Sequence, residues 1–246
     1  MDFVAGEIIA FDKPYRWTSF DVVGKARWLL CHKLGVKKLK VGHTGTLDPL
    51  ATGIVVVCTG KQTKRIDELQ QHSKEYVATL QLGATTPSFD LEKPIDATYP
   101  TEHITRELID EVIPTFQGEQ WQVPPMFSAV KVDGKRAYEL ARKGEEVELK
   151  PKLLVIDEIE VLCFDAERMQ LTLRIACSKG TYIRALARDI GQRLHSGAHL
   201  IALRRTRVGD ITEKDCITFD RFEQMVQSQS VQNNPKQLEK ELPIGL

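Results

Sequence analysis

Cysteine is scarce, and its spacing pairs with nothing. Cys31, Cys58, Cys163, Cys177 and Cys216 are odd in number, and no two stand as Cys-x-x-Cys. Neither a disulfide framework nor a zinc knuckle is legible, and a reducing cytoplasm fits best. No apolar run approaches the ~20 residues that a membrane span requires. The opening Met1-Asp2-Phe3-Val4-Ala5-Gly6-Glu7 has neither the basic start nor the apolar stretch of a secretory signal. Net charge is absent as well: 34 basic residues balance 34 acidic ones, which argues against an indiscriminate polyanion binder. The familiar catalytic signatures are also missing. There is no Gly-x-Ser-x-Gly elbow. Gly53 and Gly60-Lys61 are too far apart for a phosphate loop, and no Ser or Thr follows the lysine directly. His195 and His199 stand four apart but have Gly197 between them and no evident third ligand, so no metal is expected there.

What is present is an ordinary globular balance: 42% hydrophobic and 28% charged residues in 246, enough for one sizeable core. The charge is segregated. Lys25, Arg27, Lys33, Lys37, Lys38 and Lys40 follow one another with no acid between. Lys179, Arg184, Arg188, Arg193, Arg204, Arg205 and Arg207 are accompanied by Asp189 alone. Such clustering either builds a positive face for a phosphate backbone or reflects two solvated helix faces.

The pattern predicts a short strand over 6–12, then a helix capped by Thr18-Ser19 with Phe20, Val23, Ala26, Leu29 and Leu30 at helical spacing. Gly42 to Gly53 reads as a loop, Ile54–Cys58 as a buried strand and Tyr76–Leu82 as another. Thr105 opens a helix, 118–131 looks irregular, and Lys135–Arg142 suits a short helix. Leu153–Val161 and Met169–Cys177 form an expected antiparallel pair. Thr181–His195 is an amphipathic helix closed by Gly197, Ala198–Val208 returns as a strand, and 217–227 forms a last helix before a polar tail. Irregular alternation with antiparallel pairing indicates an α+β fold with a mixed sheet and flanking helices.

The densest chemistry lies in Gly42-His43-Thr44-Gly45-Thr46-Leu47-Asp48-Pro49-Leu50-Ala51-Thr52-Gly53. Three glycines and a proline force a shaped loop, and Pro49 biases Asp48 to an extended backbone. Asp48 either caps the turn that follows or presents a carboxylate from a rigid loop.

This segment, running on through Ile54-Val55-Val56-Val57-Cys58-Thr59-Gly60-Lys61, closely resembles the catalytic motif of the TruB family of tRNA pseudouridine-55 synthases. The resemblance covers nearly the whole chain. Phe11-Asp12-Lys13-Pro14 with Thr18-Ser19 is similar to that family's opening motif, and Lys74-Glu75-Tyr76 to its aromatic motif. Pro125–Lys131 resembles the start of its insertion, Cys177–Arg184 and Gly197–Arg205 its last two motifs. Arg16 departs from the pattern, standing where the family usually has glycine. A full C-terminal PUA domain is not expected, so 1–215 is read as the catalytic domain and 216–246 as a short helix and tail.

The resemblance implies a cofactor-independent isomerase of uridine in the T loop of tRNA, with Asp48 as its carboxylate and no metal, membrane or obligate protein partner. Arg184 is implied as the partner of Asp48, although by position alone it is a helix-surface arginine. Tyr76 is implied as the stacking platform, against its alternative as a core strand residue; Tyr182 and Leu203 are implied as further pocket walls. His43 is implied to fill the space left by the extruded base, while Asp90 and Lys179 are substrate contacts. The basic insertion at about 120–150, with Lys131, Lys135, Arg136, Arg142 and Lys143, is implied as a thumb over the RNA. Rival assignments are a synthase for another RNA site, a non-catalytic structured-RNA binder, and an enzyme on uridine nucleotides.

Overall fold

The computed structural model describes residues 1–228 apart from Asp133 and Glu146; the polar tail expected beyond them lies outside this range. In chain order the elements are β1 (Ile8–Lys13), α1 (Ser19–Leu34), β2 (Val41–His43), β3 (Thr52–Thr59), α2 (Ile66–Gln70), β4 (Lys74–Leu82), β5 (Ala84–Thr85) and β6 (Ala97–Thr98). Then come α3 (Arg106–Val112), β7 (Gly118–Gln122), β8 (Lys131–Val132), β9 (Lys135–Arg136), α4 (Ala137–Ala141), β10 (Lys152–Asp165) and β11 (Gln170–Cys177). The chain continues through α5 (Ile183–Arg193), β12 (Ala198–Val208), β13 (Ile211–Thr212), β14 (Cys216–Ile217) and α6 (Phe219–Ser228).

Ten strands form one mixed sheet in the order β14-β1-β3-β12-β4-β11-β10-β7, with β13 on β12 and β2 on β3. Most pairs are antiparallel, while β14 on β1 and β12 on β3 run parallel. This is the expected α+β architecture. β4 shows how the pattern works: Lys74, Tyr76, Ala78, Leu80 and Leu82 are buried and alternate with partly exposed residues, as period two demands. β3 is buried on both faces, Val55 and Val57 toward the main core and Ile54 and Val56 toward a smaller cluster with Ala10 and Val208, so it reads as one apolar run. α5 lays Ile183, Leu186, Ile190 and Leu194 into the main core.

Some elements depart from expectation. Residues 118–122 form an edge strand on β10 that its short length and the following Pro124 and Pro125 had masked. Phe20 fits the helical spacing of α1 but is 68% exposed, while Val22 takes the core position. Met169 lies in the turn before β11 with φ 53°, and α5 closes through His195 at φ 52° rather than at Gly197. Gly197 instead lies against the Tyr99 ring, where a Cβ would come within 2.5 Å.

Candidate active site

The Asp48 loop hangs between β2 and β3 and is held at several points. Ser19, at the start of α1 and 1% exposed, accepts a hydrogen bond from the Leu47 amide at 2.8 Å and donates to the Leu47 carbonyl at 3.2 Å. Thr18 and Asp21 make a reciprocal capping box there, so the helix start is itself fixed. The Arg205 guanidinium, on β12, donates to the carbonyls of Ile54 (2.7 Å), Gly45 (3.1 Å) and Thr46 (3.4 Å). It thereby ties both ends of the loop to one strand. Gly53, at φ +100°, lies so close to Arg205 that a Cβ would sit 2.3 Å from its carbonyl oxygen. Lys13, fully buried, donates to the carbonyls of Trp17 (2.5 Å), Pro14 (3.1 Å) and Pro49 (3.3 Å). Burial pulls its pKa down to about 8, partly offset by the nearby Asp48 charge.

On this frame Asp48 meets Arg184 side on. Nε of Arg184 donates to Oδ2 at 2.9 Å and Nη2 to Oδ1 at 3.2 Å, the two-pronged geometry that only arginine offers a carboxylate. The remaining prongs reach the carbonyls of Ser88 (3.2 Å) and Phe127 (2.9 Å), and Asp90 stands 3.7 Å from Nε. The side chain of Arg184 is 6% exposed and that of Asp90 7%, but that of Asp48 is 36% exposed. Burial works against the guanidinium's charge, yet Asp48 and Asp90 outweigh it and raise its pKa. The cation is thus permanent, and the carboxylate it orients still faces solvent.

Asp48, Arg184, Tyr76, Tyr182, Leu203, Lys179 and Arg205 line one cleft of ≈ 560 Å³. Asp90 joins Asp48, Arg184 and Leu203 around an adjoining cavity of ≈ 20 Å³. Tyr76 belongs both to the core and to the cleft wall, being 8% exposed, and burial keeps its phenol and that of Tyr182 protonated well past neutrality. Lys179 is exposed at the cleft. His43 lies apart from the cleft lining: its Nδ1 accepts the Gly45 amide at 3.2 Å, and its ring meets Phe20 edge-on at 5.3 Å. Burial, then the charge of Arg205, lowers its pKa, so the imidazole is neutral and carries its proton on Nε2.

At Arg184 the structure decides between the two alternatives: the side chain is buried and paired with Asp48, so the helix-surface alternative fails. Ser19, Ser88, Phe127 and Arg205 received no role in holding the Asp48 site from the sequence, because a backbone carbonyl or a hydroxyl strap leaves no residue-type signature. The second basic cluster is also largely committed within the fold. Arg204 pairs with Asp12 and Glu213, Arg188 with Asp189, and Arg207 approaches Glu75. The two spaced histidines do not converge on a ligand set; buried His199 bonds the Ala84 carbonyl through Nδ1 at 3.0 Å.

The sheet and the arginine-locked aspartate define the class, and comparison with known proteins names it as that of the pseudouridylate synthases. Residues 32–183 match the N-terminal domain of TruB family pseudouridylate synthase, and residues 184–242 match the C-terminal domain of tRNA pseudouridylate synthase B. A curated relative from Phocaeicola vulgatus, tRNA pseudouridine synthase B, is 64% identical over 94% of this chain and 98% of its own length. The relative of the same name from Flavobacterium johnsoniae is 49% identical over 92% of this chain and 98% of its own. Among solved structures, a chain of a Cbf5–Nop10–Gar1 complex superposes with a TM-score of 0.67 at 30% identity, covering 90% of this chain but only 54% of that one. This chain belongs to the TruB family of pseudouridylate synthases.

Proposed function

We propose that this chain isomerises uridine to pseudouridine at position 55 in the T loop of tRNA, with Asp48 as its catalytic carboxylate and without a cofactor. The observation that carries the assignment is the Asp48–Arg184 fork at the mouth of a cleft walled by Tyr76, Tyr182 and Leu203. In this reaction the bond from ribose C1′ to uracil N1 breaks, the base turns, and C1′ joins C5. N1 gains a proton and C5 loses one, so product and substrate are isomers. The chemistry is redox-neutral, and its requirement is an anionic group at the ribose. Asp48 supplies that group, and Arg184 fixes its direction.

The uridine must first leave its stack, which costs a few kcal/mol, and an aromatic face restores about 1–3 kcal/mol. Tyr76 and Tyr182 offer such faces. Neutral His43, at the end of β2, takes the space the base vacates. The insertion, which meets the site through the Phe127 carbonyl and Arg184 and exposes Lys131, Lys135, Arg136, Arg142 and Lys143, closes over the folded RNA by shape. On this assignment catalysis resides in 1–215, and a tRNA substrate with five unpaired cysteines supports a cytoplasmic setting.

Tritium release from tRNA labelled at uridine C5 tests the assignment, since C5 must lose its hydrogen. The wild type should approach one release per tRNA, with EDTA present and none when the T-loop target is replaced. Asp48→Asn should lower turnover by about 10⁴-fold or more, the scale seen on deleting a central catalytic group, while still binding tRNA. Undiminished product from Asp48→Asn would remove this residue from the mechanism.

A further inference from the structure

Three exposed side chains border the Asp48 loop without serving the fold. Tyr15 is 49% exposed and Phe20 68%, and Arg16 between them is exposed as well. Their backbone is nonetheless fixed to the site. The Arg16 amide donates to the carbonyl of Pro49, the residue after Asp48, at 2.8 Å, and the Phe20 ring stands edge-on to His43 at 5.3 Å. Lys13 pins the same turn from beneath through Pro14 and Trp17. Arg16 adopts φ 67°, a left-handed conformation that disfavours any residue with a Cβ. Strain of this kind gathers where a side chain serves a site. Its guanidinium lies 5.6 Å from the Tyr15 ring, and it has no carboxylate partner among the described residues.

We propose that Tyr15, Arg16 and Phe20 form a docking rim for the unpaired nucleotides that flank the target uridine. The proposal rests on the assignment of structured RNA as substrate. Two flat apolar faces suit nucleobases, which stack on aromatics whatever their identity, and one guanidinium without a carboxylate partner among the described residues suits the phosphate between them. The rim is continuous with the site through Pro49 and His43. Exposed Lys37, Lys38 and Lys40 lead into β2, which carries His43, and so extend the positive charge along the same approach. Committed arginines elsewhere leave this rim as a place where binding energy is still available.

The test compares Kd and KM for a tRNA transcript in the wild type, Tyr15→Ala, Phe20→Ala, Phe20→Leu and Arg16→Gly. Leu162→Ala, at a 47% exposed apolar residue on β10 outside the cleft lining and the insertion, is the control. Loss of one stacked base should raise Kd and KM by about 5- to 150-fold. Phe20→Leu keeps the bulk without the aromatic face and should show the same loss. Arg16→Gly should reduce the slope of log Kd against log salt by about 0.7–0.9, the signature of one phosphate contact. Tyr15→Ala and Phe20→Ala should leave that slope unchanged, and Leu162→Ala should match the wild type throughout. Kd values within twofold of wild type for all rim variants, or a fall in kcat at unchanged Kd, would overturn the proposal. A wild type that binds tRNA yet forms no pseudouridine would overturn the functional assignment instead, leaving the binding comparison to judge the rim.

Discussion

Replacing Arg184 by methionine tests whether the fork holds the site as the geometry implies. The change removes two charge-assisted hydrogen bonds to Asp48 and the bonds to Ser88 and Phe127, and it strands Asp90 with a 7% exposed side chain. Each bond to a charged group is worth about 1.5–3 kcal/mol, but Asp48 is 36% exposed and water screens its share. The direct coupling of the two residues should therefore be about 1.5–3 kcal/mol rather than the full sum. The total cost of Arg184→Met should be larger, about 3–5 kcal/mol, because a buried charge loses its partner. For a chain of this size each kcal/mol moves the melting temperature by about 2–4 °C. The assay is a double-mutant cycle in denaturant with Asp48→Asn, Arg184→Met and the pair, beside single-turnover tritium release. A coupling below about 0.5 kcal/mol, or Arg184→Met retaining wild-type turnover, would refute the view that this arginine orients the carboxylate.

Two further outcomes follow from the geometry. Gly53→Ala puts a Cβ 2.3 Å from the Arg205 carbonyl oxygen at a φ of +100°. It should cost more than about 2 kcal/mol and turnover together, and a fully active, equally stable variant would show that the β3–β12 approach is not rigid. The pH dependence of stability has a definite sign. Burial lowers Lys13 and Lys74 to about 8 from an unfolded value of 10.5, so above pH 8 the unfolded chain holds more protons and stability rises. Burial raises Cys58, Cys177 and Cys216 to about 11 from 9.0, which opposes the rise above pH 9. Denaturant titrations should therefore show a gain of roughly 1 kcal/mol from pH 8 to 9 that then flattens. A loss over that first interval would show that neither lysine is buried in the charged form at neutral pH.

Much was legible because it depends on neighbours in the chain. Period-two alternation marked β4 and β11, the Thr18-Ser19 cap marked the start of α1, and glycines with Pro49 marked a shaped loop around Asp48. Wherever an element's two faces meet different surroundings, burial imprints a local pattern, and that pattern survives in the sequence. The motifs fixed which aspartate to examine. They did not fix what surrounds it, since Arg184 lies 136 residues away and has the same local spacing whether it faces solvent or core. Only the crossing of α5 over the sheet brings its fork to Asp48, just as only the parallel β3–β12 pairing brings Arg205 to the carbonyls of Gly45 and Ile54. Likewise Phe20 fits the helical stripe, yet it points outward because Val22 and Val23 already fill the space beneath α1. Long-range pairing and the competition for one packed interior leave no periodic trace, so the tertiary structure alone decided them.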